Sequence, residues 1–218
     1  MIKGAILDMD GTLLDSMGMW WELGVKLLKD YELYSKDNVE MIRRMTLEQV
    51  CSFVGNKNRR GKSGDEILSE INSYIFDMYA NKLHLKAGAL ELLLWLRKNG
   101  VKMCIATSTA EPLARAALGR IGVLGCFDAV FSSCELGCGK TTPALYDMAL
   151  AHLKTPKEKT VVFEDVVFAL KLVKDNDYRC CGVFDKNEAD QDSMKKLSDI
   201  YISDLADTGS YTDKLLAI

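Results

Sequence analysis

Residues 5–16, Ala-Ile-Leu-Asp-Met-Asp-Gly-Thr-Leu-Leu-Asp-Ser, constrain this chain more than any other stretch. A short, bounded apolar run reads as a buried strand. It ends at Asp8, and Gly11 lets the chain turn sharply where other residues strain. In open parallel sheets, ligands bind beyond the carboxyl ends of the strands. Asp8 and Asp10 are therefore expected at the mouth of a site. One carboxylate there can act as a nucleophile and form an aspartyl-phosphate. A second, two residues on, can give a proton to a leaving group and take one from water. A hard cation such as Mg²⁺ would relieve the repulsion between these acids and a phosphate. The competing reading is an Asp-rich turn, since Asp and Gly are ordinary turn residues. Partners elsewhere in the chain decide between the two.

A length of 218 residues permits one large domain, or a core with a smaller insert. Hydrophobic residues at 48% and charged residues at 27% give an ordinary globular balance, so a packed core is expected. The net charge of −3 carries no basic excess, and no nucleic-acid partner is expected. No apolar run approaches a membrane span, and the first residues enter a strand with no basic leader. The expectation is a cytoplasmic protein with no membrane partner, a monomer or weak dimer. Seven cysteines without regular disulfide spacing read as free thiols. Cys180 and Cys181 sit in an apolar run and read as core. Cys134 and Cys138 lie in a Gly-rich loop with no second pair to complete a zinc set. His84 and His152 are expected at the surface.

From Met17 the pattern changes. Met17–Asp30 carries Trp20, Leu23 and Leu27 at helical spacing. Val39–Arg44 and Leu47–Val54 read as short helices, the second capped by Thr46. A basic loop over Asn56–Gly64 precedes a longer helix over Asp65–Leu83, with Ile67, Ile71 and Ile75 on one stripe. No strand is expected between residues 17 and 82, so this block reads as an inserted helical domain. Beyond Lys86, helices alternate with strands. The helices are Gly88–Asn99, Glu111–Ile121, Pro143–His152 and Val166–Lys174. The strands are Val101–Ala106, Ala129–Ser132, Thr160–Phe163, Arg179–Phe184 and Ile200–Ser203. Such alternation implies right-handed crossovers and a parallel sheet covered on both faces.

Three further polar features fall just past a strand or at a helix start, as Asp8 does. Thr107-Ser108 offers hydroxyls and backbone N–H groups to a phosphate, although Ser108 or Thr109 could instead cap the next helix. Lys140, between a strand and a helix, suits a phosphate or the fixing of a nucleophilic carboxylate. Glu164-Asp165 ends an apolar strand, where buried acids are costly unless paired or bound to metal. Asp165 as a helix cap is the alternative.

Together, Asp8-Met9-Asp10-Gly11-Thr12, Ile105-Ala106-Thr107-Ser108, Gly139-Lys140-Thr141-Thr142-Pro143 and Phe163-Glu164-Asp165 resemble the motifs of the haloacid dehalogenase superfamily, in that family's order. The chain is similar to the β-phosphoglucomutase and phosphoglycolate phosphatase group. The resemblance implies a doubly wound parallel α/β core over residues 1–15 and 84–218, with an all-α cap domain over 16–83. It implies Asp8 as nucleophile, with Asp10 as general acid and base. Thr107, Ser108 and Lys140 would bind the phosphoryl group. Mg²⁺ would be held by Asp8, Asp165 and the Asp10 carbonyl, with Glu164 close by. The implied activity is phosphatase action on a small phosphorylated metabolite. The alternatives are a sugar-phosphate mutase and a non-catalytic protein that keeps the metal and phosphate site. Asp10 stands where phosphonate-cleaving and dehalogenating relatives lack a carboxylate, which disfavours both of those reactions. Trp20 replaces the mutases' hinge histidine, while Thr141, Val166 and Phe168 depart from the usual pattern around the site. Arg43, Arg44 and Glu48, flanking Thr46, are candidate recognition residues or a solvated helix end.

Overall fold

The structure is a computed structural model and describes residues 1–42, 45, 47–136 and 139–217. Arg43, Arg44, Thr46 and Cys138 lie outside the described residues. The chain divides into two compact units, Met1–Asp15 with Leu83–Ile218, and Ser16–Lys82.

The first unit is built on a sheet of β1 (Gly4–Leu7), β2 (Lys102–Thr107), β3 (Ala129–Ser132), β4 (Thr160–Glu164), β5 (Arg179–Val183) and β6 (Ile200–Ile202). Its order is 3-2-1-4-5-6, and every neighbouring pair is parallel. β1 is buried at all four residues, with Leu7 opposite Ile105 of β2 and Phe163 of β4. This is the physical reason for the apolar runs, because helices cover both faces of such a sheet. Strand order reverses at β1, which opens a crevice at the carboxyl ends of β1, β2 and β4.

Among its described residues the second unit holds helices and no strand: α1 (Met17–Asp30), α2 (Lys36–Ile42), α3 (Leu47–Lys57) and α4 (Gly64–Asp77). Its core gathers Leu27, Leu28, Ile42, Val50, Val54 and Ile67. A capping box starts α4, with Ser63 and Glu66 each satisfying the other's backbone N–H. The expected uninterrupted helix to Leu83 is corrected. α4 gives way to a π-helical turn, Met78–Lys82, that buries Tyr79. The Trp20 indole donates to the Tyr79 hydroxyl at 3.0 Å, so the wide turn has a half-buried polar partner.

In the sheet unit, helices α5 (Ala89–Lys98), α6 (Glu111–Ile121), α7 (Ser133–Leu136), α8 (Ala144–Leu153), α9 (Val167–Asp175), α10 (Gln191–Leu197) and α11 (Thr212–Ala217) connect and follow the strands. Gly88, just before α5, takes φ +83°, and a Cβ there would lie 2.1 Å from the Leu205 backbone. Only glycine fits both demands. α10 and α11 were not expected from sequence. α10 is short and polar, and starts where the Asp190 side chain accepts from the Ser193 N–H. Cys180 and Cys181 are buried as expected, while His84 and His152 are exposed. Among the described residues, no helix is long and apolar enough to cross a membrane.

Candidate active site

The edges of adjacent strands bring the acids together. Asp8 follows β1 directly, and its N–H extends the ladder by donating to the Phe163 carbonyl at 3.0 Å. Glu164 is the last residue of β4 and Asp165 the next. All three are buried. One oxygen from each lies within 4.8 Å of the others. Lys140, in the tight turn before α8, is buried as well. Its ammonium donates to Asp8 Oδ1 and, at 2.7 Å, to Glu164 Oε1. The Tyr146 hydroxyl, one turn into α8, donates to the same Glu164 oxygen at 2.7 Å. Thr12 Oγ1 donates to Asp165 Oδ1 at 3.3 Å.

The electrostatics are unbalanced. Three buried carboxylates share one buried ammonium. Burial pushes the Asp8 carboxyl up to about 7 against the pull of Lys140, with the charges of Glu164 and Asp10 adding to the rise. Burial, then the charges of Asp8 and Glu164, push Asp165 up as well. Burial alone would lower Lys140, but the attraction of Asp8 and Glu164 outweighs it and holds the ammonium well above its ordinary value. Asp8 Oδ2 and Glu164 Oε2 are buried without a hydrogen-bond partner. Orphaned carboxylate oxygens in an over-negative cluster are the donor set a hard divalent cation prefers. The residues present therefore fit Mg²⁺, and the bound ion would offset the excess negative charge.

The other two sequence features lie at the neighbouring strand end. Thr107 closes β2 and is buried; its Oγ1 accepts the Thr109 N–H at 3.0 Å. Thr109 Oγ1 donates to Asp10 Oδ2 at 2.7 Å, which ties the second aspartate to the end of β2. Ser108 between them is exposed, and its carbonyl accepts the Cys134 thiol at 3.0 Å. The capping alternatives are corrected. The residue before α6 is Ala110, with no side-chain cap. That before α9 is Val166, and the Val167 N–H is taken by Glu188 Oε2 at 3.1 Å. Ser108, Thr109 and Asp165 thus cap neither helix.

Sequence reasoning assigned no role to Thr12, Tyr146 or Lys86, and gave Thr109 only a capping one. Thr12 ends the first quoted motif and Thr109 directly follows the second, so proximity was the available signal. Tyr146 follows the Lys140 motif by a helical turn. Lys86 had no signal. Its ammonium donates to the Gly11 carbonyl, to the Phe184 carbonyl at 2.7 Å and to Asp185 Oδ2 at 2.9 Å.

The fold and site define an α/β protein in which carboxylates and one lysine converge where the strand order reverses. The family model of the haloacid dehalogenase-like hydrolases matches residues 2–168. The chain belongs to that family. Among relatives, it is 27% identical to the validoxylamine A 7'-phosphate phosphatase of Streptomyces hygroscopicus subsp. limoneus, over 87% of this chain and 89% of that protein. It is 24% identical to the phosphorylated carbohydrates phosphatase of Thermotoga maritima, over 75% and 76% of the two chains. Among solved structures, CbbY of Rhodobacter sphaeroides in complex with phosphate superposes with a TM-score of 0.76 at 18% identity, covering 96% of this chain and 97% of that one. The β-phosphoglucomutase of Clostridium difficile superposes with a TM-score of 0.73 at 15% identity, covering 100% and 96%. These two likenesses bear on the fold.

Proposed function

We propose that this hydrolase is a Mg²⁺-dependent phosphomonoester hydrolase for a small phosphorylated metabolite, working through an aspartyl-phosphate on Asp8. One observation carries the reading. Asp8 has one oxygen held by Lys140 and the other buried without a partner, beside Glu164 and Asp165. A carboxylate so fixed and stripped of water is a poised nucleophile. The phosphatase relatives support the same reaction class.

In this reading Asp8 attacks phosphorus, and the bond from phosphorus to the ester oxygen breaks. Asp10 gives its proton to the departing oxygen. Asp10 then takes a proton from water, the water oxygen attacks phosphorus, and the Asp8–phosphorus bond breaks to release phosphate. Lys140 keeps Asp8 oriented throughout. The Thr107 hydroxyl and the N–H groups of the segment after β2 hold phosphoryl oxygens, with Ser108 beside them. Asp8, Asp165, the Asp10 carbonyl and Glu164 would hold Mg²⁺, which when bound neutralises charge on the transferring group. The helical unit is read as the cap that selects the substrate.

Turnover of a panel of sugar phosphates, phosphoglycolate and nucleotides, each with and without Mg²⁺, tests the assignment. Release of inorganic phosphate only with the ion supports it, and no turnover with tight binding of one compound points to a non-catalytic binder. NMR of β-glucose 1-phosphate with the protein distinguishes the mutase: glucose 6-phosphate is its signature, free phosphate that of the phosphatase.

A further inference from the structure

We propose that Lys86 is a positioning residue that sets where Asp10 delivers its proton. The proposal rests on the reading of Asp10 as the proton carrier.

An ammonium has three N–H donors, and Lys86 directs them to three acceptors on two loops. One is the Gly11 carbonyl in the turn after β1; the others are the Phe184 carbonyl and the Asp185 carboxylate after β5. The lysine side chain is 17% exposed and that of Asp185 2%, so the pair is largely out of water. Lys86 is fixed at its other end too, its backbone N–H donating to the Leu13 carbonyl at 2.8 Å. β1 and β5 are not neighbours; β4 lies between them. The lysine therefore joins the loops on either side of the strand that ends at Glu164 and leads into Asp165.

The turn it grips is the one that holds Asp10. Gly11 takes φ +83°. The turn is closed by Leu13 and Leu14 N–H groups on the Met9 carbonyl at 2.9 and 2.8 Å, and by the Gly11 N–H on the Leu14 carbonyl at 3.0 Å. Gripping the Gly11 carbonyl fixes the peptide plane that links Gly11 to Thr12. Asp10 precedes that plane, and its carboxylate is held by Thr109 at 2.7 Å. Thr12, just after it, hydrogen-bonds Asp165. Asp10 is thus fixed at its carboxylate from β2 and at its backbone from Lys86. A glycine in the middle of the turn has wide conformational freedom, so without the lysine the Gly11–Thr12 peptide is held by the turn's own backbone hydrogen bonds and has more room to shift. Ångström-scale drift of a proton donor is costly to rate.

General-acid catalysis matters most when the leaving oxygen is strongly basic. An alkyl sugar phosphate needs the proton of Asp10; an aryl ester with a good leaving group hardly does. The test measures kcat and KM of wild type, Lys86→Met and Asp10→Asn on glucose 6-phosphate and p-nitrophenyl phosphate at saturating Mg²⁺. For Lys86→Met the expected loss in kcat is about 10- to 100-fold on glucose 6-phosphate and under about 3-fold on p-nitrophenyl phosphate, with KM little changed. Asp10→Asn is expected to show the same selectivity more steeply. A merely structural lysine would depress both esters alike, and that result, or no loss on either, overturns the proposal while the selective Asp10→Asn variant leaves the hydrolase reading intact. If Asp10→Asn is itself unselective, the reading of Asp10 as proton carrier fails and the proposal with it. Should Lys86→Met not fold, Lys86→Arg is read by the same ratio. Its fork cannot reach all three acceptors in the same geometry, so a several-fold selective loss is expected, and a wild-type ratio overturns the proposal.

Discussion

The two units differ in the charge they bury, although both carry exposed ion pairs at their surfaces. In the helical unit the ion pairs Lys26–Asp30, Lys62–Glu70 and Lys82–Asp77 are exposed at both partners, and its described core is apolar. In the sheet unit Asp8, Lys140, Glu164, Asp165 and Asp185 are buried. Exposed pairs contribute little, because water and salt screen them and ordering long side chains costs entropy. Buried pairs rarely gain stability over apolar residues of similar size, because desolvation offsets the attraction. Charge that is buried without a gain in stability is therefore the feature on which the proposed chemistry rests. The described ion pairs of the helical unit carry no such feature.

The sharpest way to break this comparison is to remove the central carboxylate. Asp8→Asn is nearly isosteric, and its turnover on p-nitrophenyl phosphate with Mg²⁺ is expected to fall on the order of 10⁴-fold or more. Next comes Lys140→Met, which leaves three buried acids with no cation. Thermal melts in EDTA are expected to show a loss of about 3 kcal/mol, and Mg²⁺ is expected to recover part of it. The matching change in the helical unit, Lys62→Ala, is expected to leave the melting temperature unchanged. Equal losses at the two lysines would erase the distinction between the units.

The pH dependence sharpens it further. Asp8 rises from an ordinary value of 3.8 to about 7 in the folded, metal-free site. A group whose folded value is raised stabilises the fold fully below its unfolded value, and that contribution is lost as pH climbs through the folded one. In EDTA, wild type is therefore expected to lose stability relative to Asp8→Asn between about pH 4 and pH 7, since the amide does not titrate. Mg²⁺ at pH 7 is expected to reverse the trend. Within the buried cluster the smallest effect is expected from Tyr146→Phe, which removes one hydrogen bond to Glu164 and costs about 1–2 kcal/mol. Mg²⁺ titration of that variant, followed by melting temperature, is expected to need more ion for the same protection.

Much of the fold was legible because its strands are apolar and bounded. Met17–Asp30, Glu111–Ile121 and Ala129–Ser132 have in the structure the limits their sequence implies. Other limits were less legible for identifiable reasons. The apolar spacing of α4 continues through Met78–Lys82, so nothing in it signals a π-helical turn. The run Leu92-Leu93-Leu94-Trp95-Leu96 is leucine on nearly every side, so it did not reveal that Leu92, Leu93 and Leu96 are buried while Leu94 is exposed. In the site, the meeting of Asp8, Glu164 and Asp165 was legible because acids stood at the ends of apolar segments, and that of Lys140 because it falls between a strand and a helix. Lys86 was not. Its three partners lie on loops brought together by the position of β4 between β1 and β5, and strand order is not written in any local pattern.

Transfer of the phosphoryl group to Asp8 itself is read directly by rapid acid quench. The protein is mixed for milliseconds with a ³²P-labelled phosphomonoester and Mg²⁺, quenched in acid, and digested. The account predicts radiolabel on the peptide containing Asp8, stable in acid and released by hydroxylamine as an acyl phosphate should be. Steady release of phosphate with no label on that peptide would contradict it.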